Sequence, residues 1–171
     1  NTPLNGIRIP SLVTKVGASA FSLTKIKSVI NSENLIEIGN SAFASSPLES
    51  FIFSPKLQTI STSAFSNTLI SELKLPEDLI HIKSNAFTDT PLKKVTLPPK
   101  LEEIGASAFQ NTRLTEITTP PTLKALGTGA FSEIPTLIRA QVQGDLLEIP
   151  HKLFYKNSSL FSVSIPNSVK E

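Results

Sequence analysis

An Ala-Phe pair returns every 22 residues, six times in succession, at Ala20-Phe21, Ala42-Phe43, Ala64-Phe65, Ala86-Phe87, Ala108-Phe109 and Ala130-Phe131. A degenerate seventh copy, Leu153-Phe154, is displaced by one residue. A fixed period of this length means one small unit stacked on copies of itself. Each unit of such a solenoid touches only its neighbours, so the product is an extended surface rather than a globule around a pocket.

Starting each unit at its first leucine, or the isoleucine that replaces it, divides the chain into 4–25, 26–47, 48–69, 70–91, 92–113, 114–136 and 137–159, with a partial unit from Leu160. Within a unit, Val95-Thr96-Leu97 alternates apolar and polar residues as a half-buried strand does. Its copies are expected to form a parallel ladder at a spacing of about 4.8 Å. Proline follows at Pro10, Pro76, Pro98, Pro120 and Pro166. It has no N–H to donate and so ends the ladder. A second apolar pair, Leu101 and Ile104 in the same unit, marks a short extended segment. The glycine after it, in Gly17, Gly39, Gly105 and Gly127, reads as turn-permissive. The Ala-Phe segment reads as one helical or 3₁₀ turn, with phenylalanine filling the wide end of the core. About five or six apolar side chains per unit would be buried, at roughly 1.5–3 kcal/mol of transfer free energy each.

These features predict an α/β repeat: a curved solenoid with a parallel sheet on its concave face and short helical or 3₁₀ turns and loops opposite. Residues 1–171 read as one array of about seven units of 22 or 23 residues plus a partial one. Asn1-Thr2-Pro3-Leu4 matches Asp89-Thr90-Pro91-Leu92, and the chain stops within a unit at Ser168-Val169-Lys170-Glu171, so it reads as a piece of a longer protein.

Composition narrows the function. Sixteen basic and fourteen acidic residues give a formal net charge of +2. The charges are scattered, which argues against a nucleic-acid surface. No apolar run is long enough to insert directly into a bilayer. There are no cysteines, which excludes disulfides and thiolate metal sites. The two histidines, His81 and His151, lie in different units and read as surface residues. Glu102 and Glu103 are neighbours without a facing carboxylate, so they do not form acid/base machinery. Neither catalytic residues nor a cofactor or metal site is expected. Asn157-Ser158-Ser159 has the form of a glycosylation acceptor.

The pattern Leu-x-x-Val-x-Leu-Pro-x-x-Leu-x-x-Ile-Gly-x-x-Ala-Phe, carried over the whole chain, resembles the BspA-like, or Treponema-type, leucine-rich repeats. The resemblance implies a non-catalytic protein-binding module at the cell surface or outside the cell, in bacteria and protozoa that colonise hosts. Adhesion to host matrix or neighbouring-cell proteins, and hence a part in virulence, is the expected role. A structural spacer, or an intracellular scaffold or effector with any catalytic domain elsewhere, is the alternative. The family often has cysteine three residues after the Phe. Here that place holds Thr24, Ser46, Thr68, Thr90, Thr112, Ile134 and Asn157, and a small hydroxyl there can satisfy a buried backbone group. Asn31 and Thr119 stand at core positions and are expected to weaken packing locally.

Recognition is expected on outward strand positions, whose identity the scaffold does not dictate. One column reads Arg8, Ile30, Ile52, Lys74, Thr96 and Thr118, continuing through Gln141 and Ser164. The column beside it includes Glu72, Lys94, Glu116 and Arg139, whose alternation suits cross-strand pairing. Ile30 and Ile52 together would make an apolar patch. Exposed ends of the array offer a route to self-association.

Overall fold

The computed structural model describes residues 6–30 and 33–170. Asn31, Glu171 and the opening match at residues 1–4 lie outside the described residues. Among those described, two kinds of strand alternate along the chain. The three-residue strands are β1 (Gly6–Arg8), β3 (Ser28–Ile30), β5 (Ser50–Ile52), β7 (Glu72–Lys74), β9 (Lys94–Thr96), β11 (Glu116–Thr118), β13 (Arg139–Gln141) and β14 (Ser162–Ser164). The two-residue strands are β2 (Lys15–Val16), β4 (Glu37–Ile38), β6 (Thr59–Ile60), β8 (His81–Ile82), β10 (Glu103–Ile104) and β12 (Ala125–Leu126). All pairings are parallel and join a residue to its counterpart one coil away, as in Ile7 with Val29 and Ile38 with Ile60. The result is a parallel β-solenoid.

The bend between the two strands starts at the expected prolines. Their carbonyls accept from the residue three along, in Leu79 N–H to Pro76 O at 3.2 Å and Leu101 N–H to Pro98 O at 3.2 Å. Each is a β-turn that redirects the chain into the second strand. Gly105 then lies against the preceding coil: a Cβ there would stand 2.3 Å from Ser84 N. That glycine is required by close backbone approach, not by a positive φ as a turn would demand.

The Ala-Phe segment is not helical. In every described coil, two residues four apart flank it with positive φ, such as Ser63 (56°) with Asn67 (53°), and Ser107 (53°) with Asn111 (53°). Left-handed residues at that spacing break any helix. The N–H groups alternate in use. Those of Ser63, Phe65 and Asn67 donate forward to Ser84 O, Ala86 O and Thr88 O of the next coil, each at 2.9 Å. Those of Ala64 and Ser66 turn back to Ser61 O and Ser63 O, at 3.2 and 3.1 Å. The segment is thus a ladder of turns, and the chain is a β-solenoid rather than an α/β repeat. A solenoid bends when helices about 10 Å across sit opposite strands about 4.8 Å apart. Among the described residues there are no helices, so that physical ground for a concave face is missing.

The core lies inside these three hydrogen-bonded sides. Phe43, Phe65, Phe87, Phe109 and Phe131 are fully buried. They stack with their flanking Phe21 and Phe154 at centroid distances between 5.2 and 6.1 Å. From Phe21 to Phe109 the hydroxyl three residues after each ladder Phe closes its carbonyl, with Thr68 to Phe65 O at 2.9 Å and Thr90 to Phe87 O at 2.8 Å. Thr119 is fully buried, but both its hydrogen-bonding roles are filled. Its hydroxyl donates to Gln143 O at 2.8 Å and accepts from Gln143 N–H at 2.7 Å.

The three-residue strands do not form one continuous sheet. The ladder parts between β5 and β7 and between β9 and β11. At those coils Leu69 and Arg113 donate to Leu48 O and Leu92 O, both at 2.9 Å. Where Pro47 or Pro91 occupies that place no N–H is available. The donor is then Glu49 or Lys93, to Lys27 O or Ser71 O, and the ladder holds.

Candidate functional site: the strand face

Alternation along β1, β3 and the other three-residue strands turns the middle residue inward and its two neighbours outward. The register therefore assembles the two outward columns coil by coil. Arg8 lies beside Ile30, Ile30 beside Ile52, and Lys74 beside Thr96. Thr118 lies beside Gln141, which lies beside Ser164. In the adjacent column Glu72 lies beside Lys94, and Glu116 beside Arg139. All ten candidate residues are exposed. Ile30 is 41% and Ile52 62% accessible, so the two form one uncovered apolar patch.

The charges in the second column do not pair along the sheet, contrary to what their alternation suggests. Among the described residues, Glu72, Lys94, Glu116 and Arg139 make no N–O contact within 4.0 Å. Charges near the two-residue strands behave differently and tie coil to coil. Lys15 meets Glu37 at 2.9 Å, Lys124 meets Glu102 at 2.8 Å and Lys100 meets Asp78 at 2.7 Å. Both the hydrogen bond from Lys100 to Asp78 and the negative charge of Asp78 raise the lysine pKa above its ordinary value.

His81 is half-buried, with Nδ1 3.2 Å from a Glu103 oxygen that Lys83 also contacts. Glu102 and Glu103 therefore serve separate cross-coil ion pairs. His151 is exposed in the turn that replaces Gly-x-x-Ala, and its carbonyl accepts from Gly129 N–H at 3.0 Å. Among the described residues no group of three or more His, Asp or Glu side chains could hold a metal ion. No helix there is long and apolar enough to cross a membrane.

Two outward residues escaped the sequence reading. Ile138 and Phe161 precede β13 and β14, and Phe161 N–H donates to Ile138 O at 2.9 Å. They are 46% and 89% accessible and form a second apolar pair. The signal was present in the position before the charged column, which holds Lys27, Glu49, Ser71, Lys93 and Thr115 in earlier units.

The model of the BspA type leucine rich repeat region matches in six copies over residues 1–112 and 80–171. The chain belongs to this BspA-type family. Among solved structures, a leucine-rich repeat protein of Bacteroides ovatus is 21% identical with a TM-score of 0.62, over 95% of this chain and 55% of its own. The Treponema pallidum leucine-rich repeat protein is 18% identical with a TM-score of 0.62, over 93% and 68%. A leucine-rich cell surface protein of Faecalibacterium prausnitzii is 23% identical with a TM-score of 0.58, over 82% and 48%. At these identities the likeness is one of fold. The chain spans about half the length of the first and third of these proteins. No curated protein matches it significantly. BspA-type repeats are solenoid modules of a generally non-catalytic kind, and leucine-rich repeats generally serve protein interaction.

Proposed function

We propose that this BspA-type array is a protein-binding module of a cell-surface or secreted protein and that it mediates adhesion through its strand face. The carrying observation is the uncovered Ile30–Ile52 pair, set side by side in register on strands whose middle residues are buried in the core. Neighbouring outward apolar residues mark contact sites more often than scattered ones do. The description of the Faecalibacterium prausnitzii relative as a cell surface protein supports the location. Protein ligands of host matrix or neighbouring cells fit a broad, shallow face that offers many modest contacts, strengthened by avidity when arrays are displayed densely.

The test is capture from host matrix and cell-surface proteins by the folded array, against an Ile30→Asp, Ile52→Asp variant. Capture by the wild type and loss in the variant is the expected result. Absence of capture by the wild type removes the adhesion reading, and equal capture by the variant moves the contact elsewhere.

A further inference from the structure

The unpaired charges of the second column carry an inference that does not rest on the Ile30–Ile52 reading. From β7 to β13 the column reads Glu72, Lys94, Glu116, Arg139, one sign change per coil. All four side chains are exposed, and none has an ion-pair partner among the described residues. Such a series is complementary to its own reverse. We propose that this half of the strand face binds a second copy of the chain, face to face, with the two stacks running in opposite directions.

The geometry follows from the register. A two-fold axis along the strand direction keeps each column over itself and reverses the order of coils. Placed between the coils of Lys94 and Glu116, it sets Glu72 against Arg139 of the second copy and Lys94 against Glu116. Symmetry doubles both contacts, as in any isologous interface. Four opposite-charge contacts result and no like-charge contact. An axis on the Lys94 coil instead sets Lys94 against itself and Glu72 against Glu116, so the charges select the first register. The neighbouring column adds no repulsion in that register, with Lys74 over Gln141 and Thr96 over Thr118. A net charge of only +2 opposes association of two copies little. In this arrangement Ile30 lies beyond the overlap of the described coils.

The association is measured by sedimentation velocity on the 171-residue chain, whose monomer mass is 18.5 kDa. The wild type is expected to show a concentration-dependent dimer that weakens in 1 M salt, where the screening length falls to about 3 Å. Lys94→Glu places like charges against Glu116 twice, and Glu116→Lys does so against Lys94. Each variant alone is expected to dimerise at least about tenfold more weakly. Mixed together, the two variants restore both attractions and are expected to form a heterodimer. Ile30→Asp is expected to dimerise as the wild type does, which separates this result from loss of ligand capture. A wild type monomeric at all concentrations overturns the proposal. So does undiminished dimerisation of either single variant, or failure of the mixed pair to associate.

Discussion

Asn157 closes a hydrogen bond that belongs to the coil before it. Its Nδ2 donates to Phe131 O at 2.8 Å, and its Oδ1 accepts from Ile134 N–H at 2.8 Å. In the earlier coils a hydroxyl three residues after the Phe caps that carbonyl, as Thr112 does for Phe109 at 3.0 Å. Ile134 has no such group, and the side chain one coil along takes its place. The Asn157-Ser158-Ser159 sequence thus has a structural use for its asparagine.

Asn157→Ala is accordingly expected to cost about 1–3 kcal/mol, the penalty for leaving buried polar groups without partners. Thr112→Val should fall in the same range, since it strands one carbonyl while keeping volume. Equilibrium unfolding in urea measures both. A loss below a few tenths of a kcal/mol for Asn157→Ala would remove the capping role assigned to it.

Phe65 is the best-enclosed aromatic residue of the stack. It lies between Phe43 and Phe87, both at 5.5 Å, and meets Phe51 edge-on at 5.1 Å. Phe65→Ala is expected to cost about 3–5 kcal/mol, as large-to-small core changes do. Phe154 is only half-buried, with one stacked neighbour at 6.1 Å, so Phe154→Ala should cost clearly less. Thermal unfolding of the two variants gives the order, and equal losses would contradict a stack in which neighbours share burial.

The strand columns were legible because alternation of apolar and polar residues settles both the face and the register. That is why Arg8, Ile30, Lys74 and Thr118 fall where the spacing puts them. The hydroxyls of Thr68 and Thr90 were legible as well, from a fixed distance to the Phe. The turn side was not. Ala and Phe suit a helical turn and a left-handed turn ladder alike, and the deciding residues are the polar ones around them. Asn67, Asn85, Asp89, Asn111 and Gly129 occupy the two positive-φ columns, and all are types that tolerate that conformation. Serine and lysine in other copies blurred the signal. The absence of ion pairs around Lys94 and Glu116 depends on side-chain placement, which alternation of charge does not specify.

The turn ladder itself gives the sharpest test of the corrected fold. Ser63 has φ of 56°, and among the described residues no side-chain hydrogen bond holds it there. In a helix, glycine at this place would be worse than valine, because helix propensity falls from valine to glycine. In the left-handed region the order reverses. Glycine enters at no steric cost, whereas a β-branched side chain crowds the following carbonyl at about 1–2 kcal/mol. Ser63→Val is therefore expected to lower the urea midpoint clearly, with an unchanged m-value, and Ser63→Gly to leave it nearly unmoved. A glycine variant less stable than the valine variant would restore the helical turn and undo the ladder.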